Sequence, residues 1–322
     1  MKTLRILTLA LLAVVLSASV FAQQYPARTI TIVTPFSPGG PVDTMARVFA
    51  GKLNESMGQP VIVDNRAGAG GAIGMNSVAK AEPDGYTLLY SPNSIAIFPA
   101  LYRKLPFNAE KDLVPVSQAL STTLVIAAHP KLKIATVQEL VALAKSQPGK
   151  LNFGSSGVAD PLQLGMEMLK TSSGIDMLAI PYKGQGPMFT ALLGGEVDVA
   201  VVSLQAALAP ARAGQLRLLA VTGAKRSVAI PDVPTVAESG VPGYEISSWH
   251  GFFAPAGTPR EIVMRVQREV ARAVQLPDVR QRVESTGNEV VGSTPEEFDA
   301  KFRADVARFK KIVQDARIPP QD

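Results

Sequence analysis

Ser37, Pro38, Gly39 and Gly40 follow a β-branched run (Ile30, Ile32, Val33) and are succeeded at once by a helix-forming stretch that opens with Pro41. A turn of this composition at the start of a helix offers bare backbone N–H groups at the positive end of the helix dipole, which suits an anion. A second segment repeats the form: Ser155, Ser156 and Gly157 end another apolar run, and Pro161 opens the next helical stretch. The chemistry on offer is capture of a negative group by hydroxyls and main-chain donors, at about 1.5 to 3 kcal/mol for each charge-assisted bond. Equipment for catalysis is scarce. The chain has no cysteine and two histidines, His129 and His250, neither at triad spacing, and both are read as structural. GSSGV does not supply the G-x-S-x-G of a serine hydrolase. GAGGAIG (68–74) fails the dinucleotide fingerprint because Ile73 stands at its third glycine position.

Individual residues around these turns carry two readings each. Asp43 stabilises the first helical turn and pairs with Arg47 one turn on, or it contacts a ligand above the loop. Asp160, directly before Pro161, is an N-cap, or it points into a cleft and selects a ligand bearing an ammonium, amide or hydroxyl group. Lys183 and Gly184 follow an apolar run, where a lysine meets a second anionic group or stays on the surface. Ser94 and Ser203 stand at the ends of strand-like runs and are candidate hydroxyl donors. Phe36 packs on a ligand body or in the core.

The elements that must position these residues read as α/β. Strands are expected at 29–33, 61–64, 86–90, 124–128, 151–153, 177–180, 197–202 and 216–221, mostly parallel and alternating with helices at 42–57, 73–80, 137–146, 162–171, 187–193 and 205–213. The last part reads as long helices, 259–275, 277–286 and 295–316, each with proline near its start. Lys2 and Arg5, the apolar run Ile6 to Val20 and the small residues before Gln23 form a secretory leader, with cleavage expected after Ala22. No cysteine follows that would carry a lipid anchor. The remaining 300 or so residues are at the size where one core becomes two. Val114-Pro115-Val116 and Ala224 to Pro234 are read as the connections, giving a discontinuous first domain (23–114 and 226–322) and an inserted second one (115–225). The net charge of +5 is spread along the chain without a basic stripe or stacking aromatics, which argues against nucleic acid.

The runs YPARTITIVTPFSPGGPVDTMAR (25–47), GQPVIVDNRAGAGGAIG (58–74), PDGYTLLY (83–90), PGKLNFGSSG (148–157), PYKGQGP (181–187), PDVPTVAESGVPGYE (231–245) and WHGFFAPAGTP (249–259) together resemble the Bug family of extracytoplasmic receptors of tripartite tricarboxylate transporters. The seven stand in the family's order and span the mature chain. The resemblance implies a periplasmic-binding-protein fold of two α/β lobes, each a mostly parallel sheet flanked by helices, closing by a hinge on a small organic carboxylate. It implies no reaction, no cofactor and no metal, a monomer in the periplasm, and as partners one large and one small integral membrane subunit. The family usually carries threonine where this chain has Asp160, a departure that bears on the dicarboxylate assignment. A ligand sensor without a transporter and a secreted α/β hydrolase are the alternatives.

Overall fold

The computed structural model describes residues 25–157, 160–182, 184–285 and 288–321. The expected leader at 1–22, Val158, Ala159 and Lys183 lie outside the described residues. The chain begins with β1 (Ile30–Thr34), α1 (Pro41–Met57), β2 (Val61–Asn65), α2 (Ala72–Ala79), β3 (Thr87–Pro92), α3 (Ser94–Leu101) and β4 (Leu113–Thr122). It continues with β5 (Leu124–Ala128), α4 (Val137–Ser146), β6 (Asn152–Ser155), α5 (Pro161–Ser173), β7 (Leu178–Pro181), α6 (Gln185–Leu193), β8 (Val199–Ser203), α7 (Leu204–Arg212) and β9 (Arg217–Val221). It ends with β10 (Ser248–Pro255), α8 (Arg260–Ala273), α9 (Pro277–Ser285), β11 (Asn288–Val290) and α10 (Pro295–Asp315).

These strands form two sheets, ordered β11-β4-β10-β3-β1-β2 and β7-β6-β8-β5-β9, so the two-lobed α/β architecture stands. Each sheet is mixed rather than mostly parallel. β1 runs parallel to β2 and β3, and β6 parallel to β7 and β8, whereas β10 is antiparallel to β3 and β4, and β5 antiparallel to β8 and β9. The reason is connectivity. β5 and β10 each start where the chain has just crossed between lobes, so each runs away from the crossing while its neighbours run toward it; opposite directions force antiparallel ladders.

The crossings themselves differ from the sequence reading. Val114, Pro115 and Val116 lie inside β4, paired with β10 across a register shift at Phe252/Phe253 that accommodates the proline. The chain passes to the second sheet at Thr123, between β4 and β5. Ala224 to Pro234 is not the return. The Val221 amide donates to the Pro234 carbonyl, Thr235 bridges Val221, and the Tyr244 hydroxyl donates to the Gly165 carbonyl on α5 at 2.9 Å, so this proline-rich stretch packs on the second lobe. The return falls at Ser247, where Ser248 pairs with Thr122. The two crossings thus lie side by side.

Burial explains the local choices. The α1 residues Met45, Phe49 and Leu53 recur at helical spacing, are at most 2% exposed and cover one face of the first sheet with Val266 and Val270 of α8. Gly58, in the left-handed region, ends α1 by returning its amide to the Asn54 carbonyl. The other face holds Trp249 against Phe298 of α10, edge to face at 5.0 Å, with its indole N–H on buried Asp305. Gly251 makes that contact feasible, since a Cβ there would lie 2.2 Å from the Phe298 ring.

Candidate functional site

A cleft of about 530 Å³ opens between the lobes. The first lobe contributes the ends of strands and the starts of helices: Phe36 beyond β1, Pro41 at the head of α1, Pro92 at the end of β3 and Asn93 just after it, and Ser94 at the head of α3. From the second come Ser156 beyond β6, Asp160 and Pro161 at the head of α5, Gln185 at the head of α6 and Ser203 before α7. Five helix starts therefore border one space, where their amide ends bias it toward negative charge.

The side chains are fixed by their own contacts. Asn93 donates its side-chain amide to the Ser247 carbonyl at 2.9 Å and its main-chain amide to the Trp249 carbonyl at 3.0 Å, which ties the head of α3 to the crossing. Gln185 donates to the Ser203 hydroxyl at 2.9 Å. Among the described residues the enclosed Ser94 and Ser156 hydroxyls, one from each lobe, make no well-formed hydrogen bond, although the Ser156 hydroxyl lies near enough to the Asp160 carboxylate to favour its charged form. Asp160 caps α5 by accepting the Leu162 amide at 2.9 Å. Burial raises its pKa above the usual carboxylate range, against the Leu162 amide and the nearby Ser156 hydroxyl, which favour the charged form. Asp160 is the single charged side chain in the described wall.

Of the residues singled out in the sequence, Phe36, Ser94, Ser156, Asp160 and Ser203 line the cleft; Ser37, Pro38, Gly39, Gly40, Asp43, Ser155, Gly157 and Gly184 do not, and Lys183 lies outside the described residues. The first loop is turned on itself. The Gly39 amide donates to Asp43 Oδ2 at 2.8 Å, Arg47 donates to the same oxygen, and the Asn65 amide joins Asp43 Oδ1, the Thr34 hydroxyl and the Phe36 carbonyl. Asp43 is 3% exposed. It braces the loop, and the amide assigned to an anion is spent on it. Gly40 is extended (φ −78°), so its backbone suits any residue. In the second loop the Gly184 amide donates to the Ser156 carbonyl at 3.1 Å, and Gly157, at φ 125°, donates to the Ser155 hydroxyl.

Sequence reasoning missed Asn93, Phe98, Tyr102, Thr122, Gln185, Ser248, His250 and Asn288, all in the wall. The signal for Asn93 was available, since an Asn-Ser pair after an apolar run is an N-cap pattern. His250 is not merely structural: it lines the cleft, with Nδ1 3.3 Å from the hydroxyl of fully buried Tyr90. Burial pushes its pKa down to about 4, so the ring is neutral at neutral pH. Ser156, His250 and Asp160 share the cleft, yet no hydrogen bond joins the Ser156 hydroxyl to His250, and a serine nucleophile needs that base. Among the described residues no group of three or more acidic, histidine or cysteine side chains could hold a metal.

Two α/β lobes with strand ends and helix heads facing a shared cleft define a solute-binding protein. The model of the tripartite tricarboxylate transporter family receptors matches residues 45–318, and the chain belongs to that family. It is 38% identical over 302 residues to the protein BugT of Bordetella pertussis, with 93% of each chain covered. A structure from R. palustris with adipate is 35% identical with a TM-score of 0.77, covering 92% of this chain and 100% of that one. MatC from Rhodopseudomonas palustris, solved with malate, is 31% identical with a TM-score of 0.73, covering 90% and 100%.

Proposed function

We propose that this protein is a periplasmic receptor that captures a small organic carboxylate between its lobes, closes on it by rotation at the paired crossings, and delivers it to one large and one small integral membrane subunit. The observation that carries this reading is the ring of five helix heads with two enclosed hydroxyls on opposite walls. Such donors hold a carboxylate without an arginine clamp; three or four charge-assisted bonds of about 1.5 to 3 kcal/mol suffice for micromolar affinity after the costs of association. Adipate and malate in relatives of the same fold support the ligand class. We take the lobes as 25–122 with 248–321, and 124–246, the chain as a monomer without catalytic activity, and residues 1–22 as a leader removed on export.

Carboxylic acids of four to eight carbons are screened by thermal shift on the purified mature protein, with turnover followed in parallel. A binding acid at a hundredfold excess over its Kd stabilises the fold by about 2.7 kcal/mol and is recovered unchanged. Chemical conversion of a bound acid, or no stabilisation by any, overturns the reading.

A further inference from the structure

The two walls of the cleft differ in polarity, and the difference can be followed to single protons. Tyr90 is fully buried, its hydroxyl is held in the neutral form by burial, and that hydroxyl's hydrogen bond is to His250 Nδ1. A fully buried phenol places its proton on the acceptor within reach, so Nδ1 accepts. A neutral imidazole that accepts at one nitrogen carries its proton on the other. The His250 ring lining the cleft is thereby fixed as the Nε2–H tautomer, a donor. On the same lobe the Ser94 hydroxyl is enclosed and unpartnered, a second donor at the head of α3.

The opposite wall carries an acceptor. Asp160 commits Oδ1 to the Leu162 amide and has the Ser156 hydroxyl beside its carboxylate. No lysine or arginine stands in the described wall to offset this carboxylate. A second carboxylate brought against Asp160 meets like charge in a partly desolvated space, whereas an N–H or O–H donor fills an acceptor site that Leu162 and Ser156 leave open.

We propose that the cleft reads its ligand in one orientation: a carboxylate against the first lobe, where His250 Nε2–H and the Ser94 hydroxyl donate, and an uncharged or cationic hydrogen-bond donor against Asp160. The preferred ligand is a monocarboxylic acid with a distal amide, hydroxyl or ammonium group, and simple dicarboxylates are disfavoured. This deepens the receptor reading and rests on it.

The test is calorimetric titration of the mature protein at pH 7 with succinate and adipate, each against its monoamide and against the terminal amino acid of equal length, 4-aminobutyrate and 6-aminohexanoate. The expected result is at least tenfold tighter binding of the monoamide or amino acid than of the dicarboxylate at the preferred length. D160S, which retains a capping oxygen, reduces that preference below threefold. H250F weakens every acid about tenfold, and H250Q, which restores a side-chain N–H, recovers part of the loss. With two histidines in the chain, selective ¹⁵N labelling reads the tautomer directly: a protonated Nε2 on His250 in the free protein, shifted by ligand. Equal or tighter binding of the dicarboxylate, a preference that survives D160S, or an Nδ1–H tautomer overturns the orientation while leaving the receptor reading intact. Failure of all six probes and of malate to bind overturns both.

Discussion

The two loops that begin the longest helix of each lobe's cleft face look alike in sequence and have opposite economies in space. In the first, Asp43 draws in the Gly39 amide, Arg47 and Asn65, so its polar groups are satisfied internally. In the second, Ser156 and Asp160 retain unspent capacity at the cleft. A Ser/Gly turn before a helix therefore marks a place where an anion can sit, but a neighbouring carboxylate of the protein can sit there first. The surroundings of the two aspartates carry the same contrast into their acidities. Burial of Asp43 acts upward, yet the hydrogen bonds from Arg47, Gly39 and Asn65 and the Arg47 charge outweigh it and hold the pKa below the usual value; for Asp160 burial prevails and the pKa rises.

The largest effect is expected from breaking the braced loop. D43A removes the shared acceptor of the Gly39 amide, Arg47 and Asn65 and should cost about 2 kcal/mol, measured as a drop in the urea midpoint; a loss under about 1 kcal/mol removes Asp43 from its bracing role. The pH dependence sharpens the contrast with opposite signs. The stabilisation by Asp43 is present above its unfolded pKa of about 3.9 and fades as pH falls toward its lower folded value. For Asp160 the raised folded pKa means a contribution that is present at low pH and lost as pH rises through that value. Melting temperatures from pH 3 to 7 should therefore show D160N, which keeps its cap, gaining on the wild type as pH rises, and D43N losing ground over the same span. Two curves of the same sign dissolve the comparison. The smallest effect is that of G39A, where φ is +83° in otherwise open space: a cost of about 1 kcal/mol, with acid binding unchanged because the Gly39 amide already serves Asp43.

What the sequence shows of the fold follows hydrophobic pattern. Leu124–Ala128 and Val137–Ser146 stand where periodicity places them, the latter closed by the Thr136/Glu139 capping box. β4, β10 and α3 are missed for physical reasons. Pro115, Ser117 and Gln118 break the apolar run of β4 although the strand is nearly all buried. His250 and Gly251 do the same in β10, where glycine answers the Phe298 ring rather than a turn. SIAIFPAL has no helical periodicity because α3 is buried over most of its surface and carries Pro99 inside. These are the elements that bring Asn93, Phe98, Thr122, Ser248 and His250 to the cleft. The second-lobe contributions of Ser156, Asp160 and Ser203 were legible, since each adjoins a helix start that local sequence marks. The inward turn of Asp43 was not, because it depends on Asn65 from a neighbouring strand.

Thr123 and Ser247 carry the chain between the lobes on adjoining tracks, with Ser248 facing Thr122 in register. Linked in this way, the two crossings favour a swing about the line through both over sliding or swivelling. Groups on that line scarcely travel, and those distant from it sweep the longest arc. Thr122 and Ser248 line the cleft at that line, and the heads of α5 and α6 line it from the second lobe. We expect a clasp of this kind to behave as a calliper, coming to rest at an angle set by the length of what it holds.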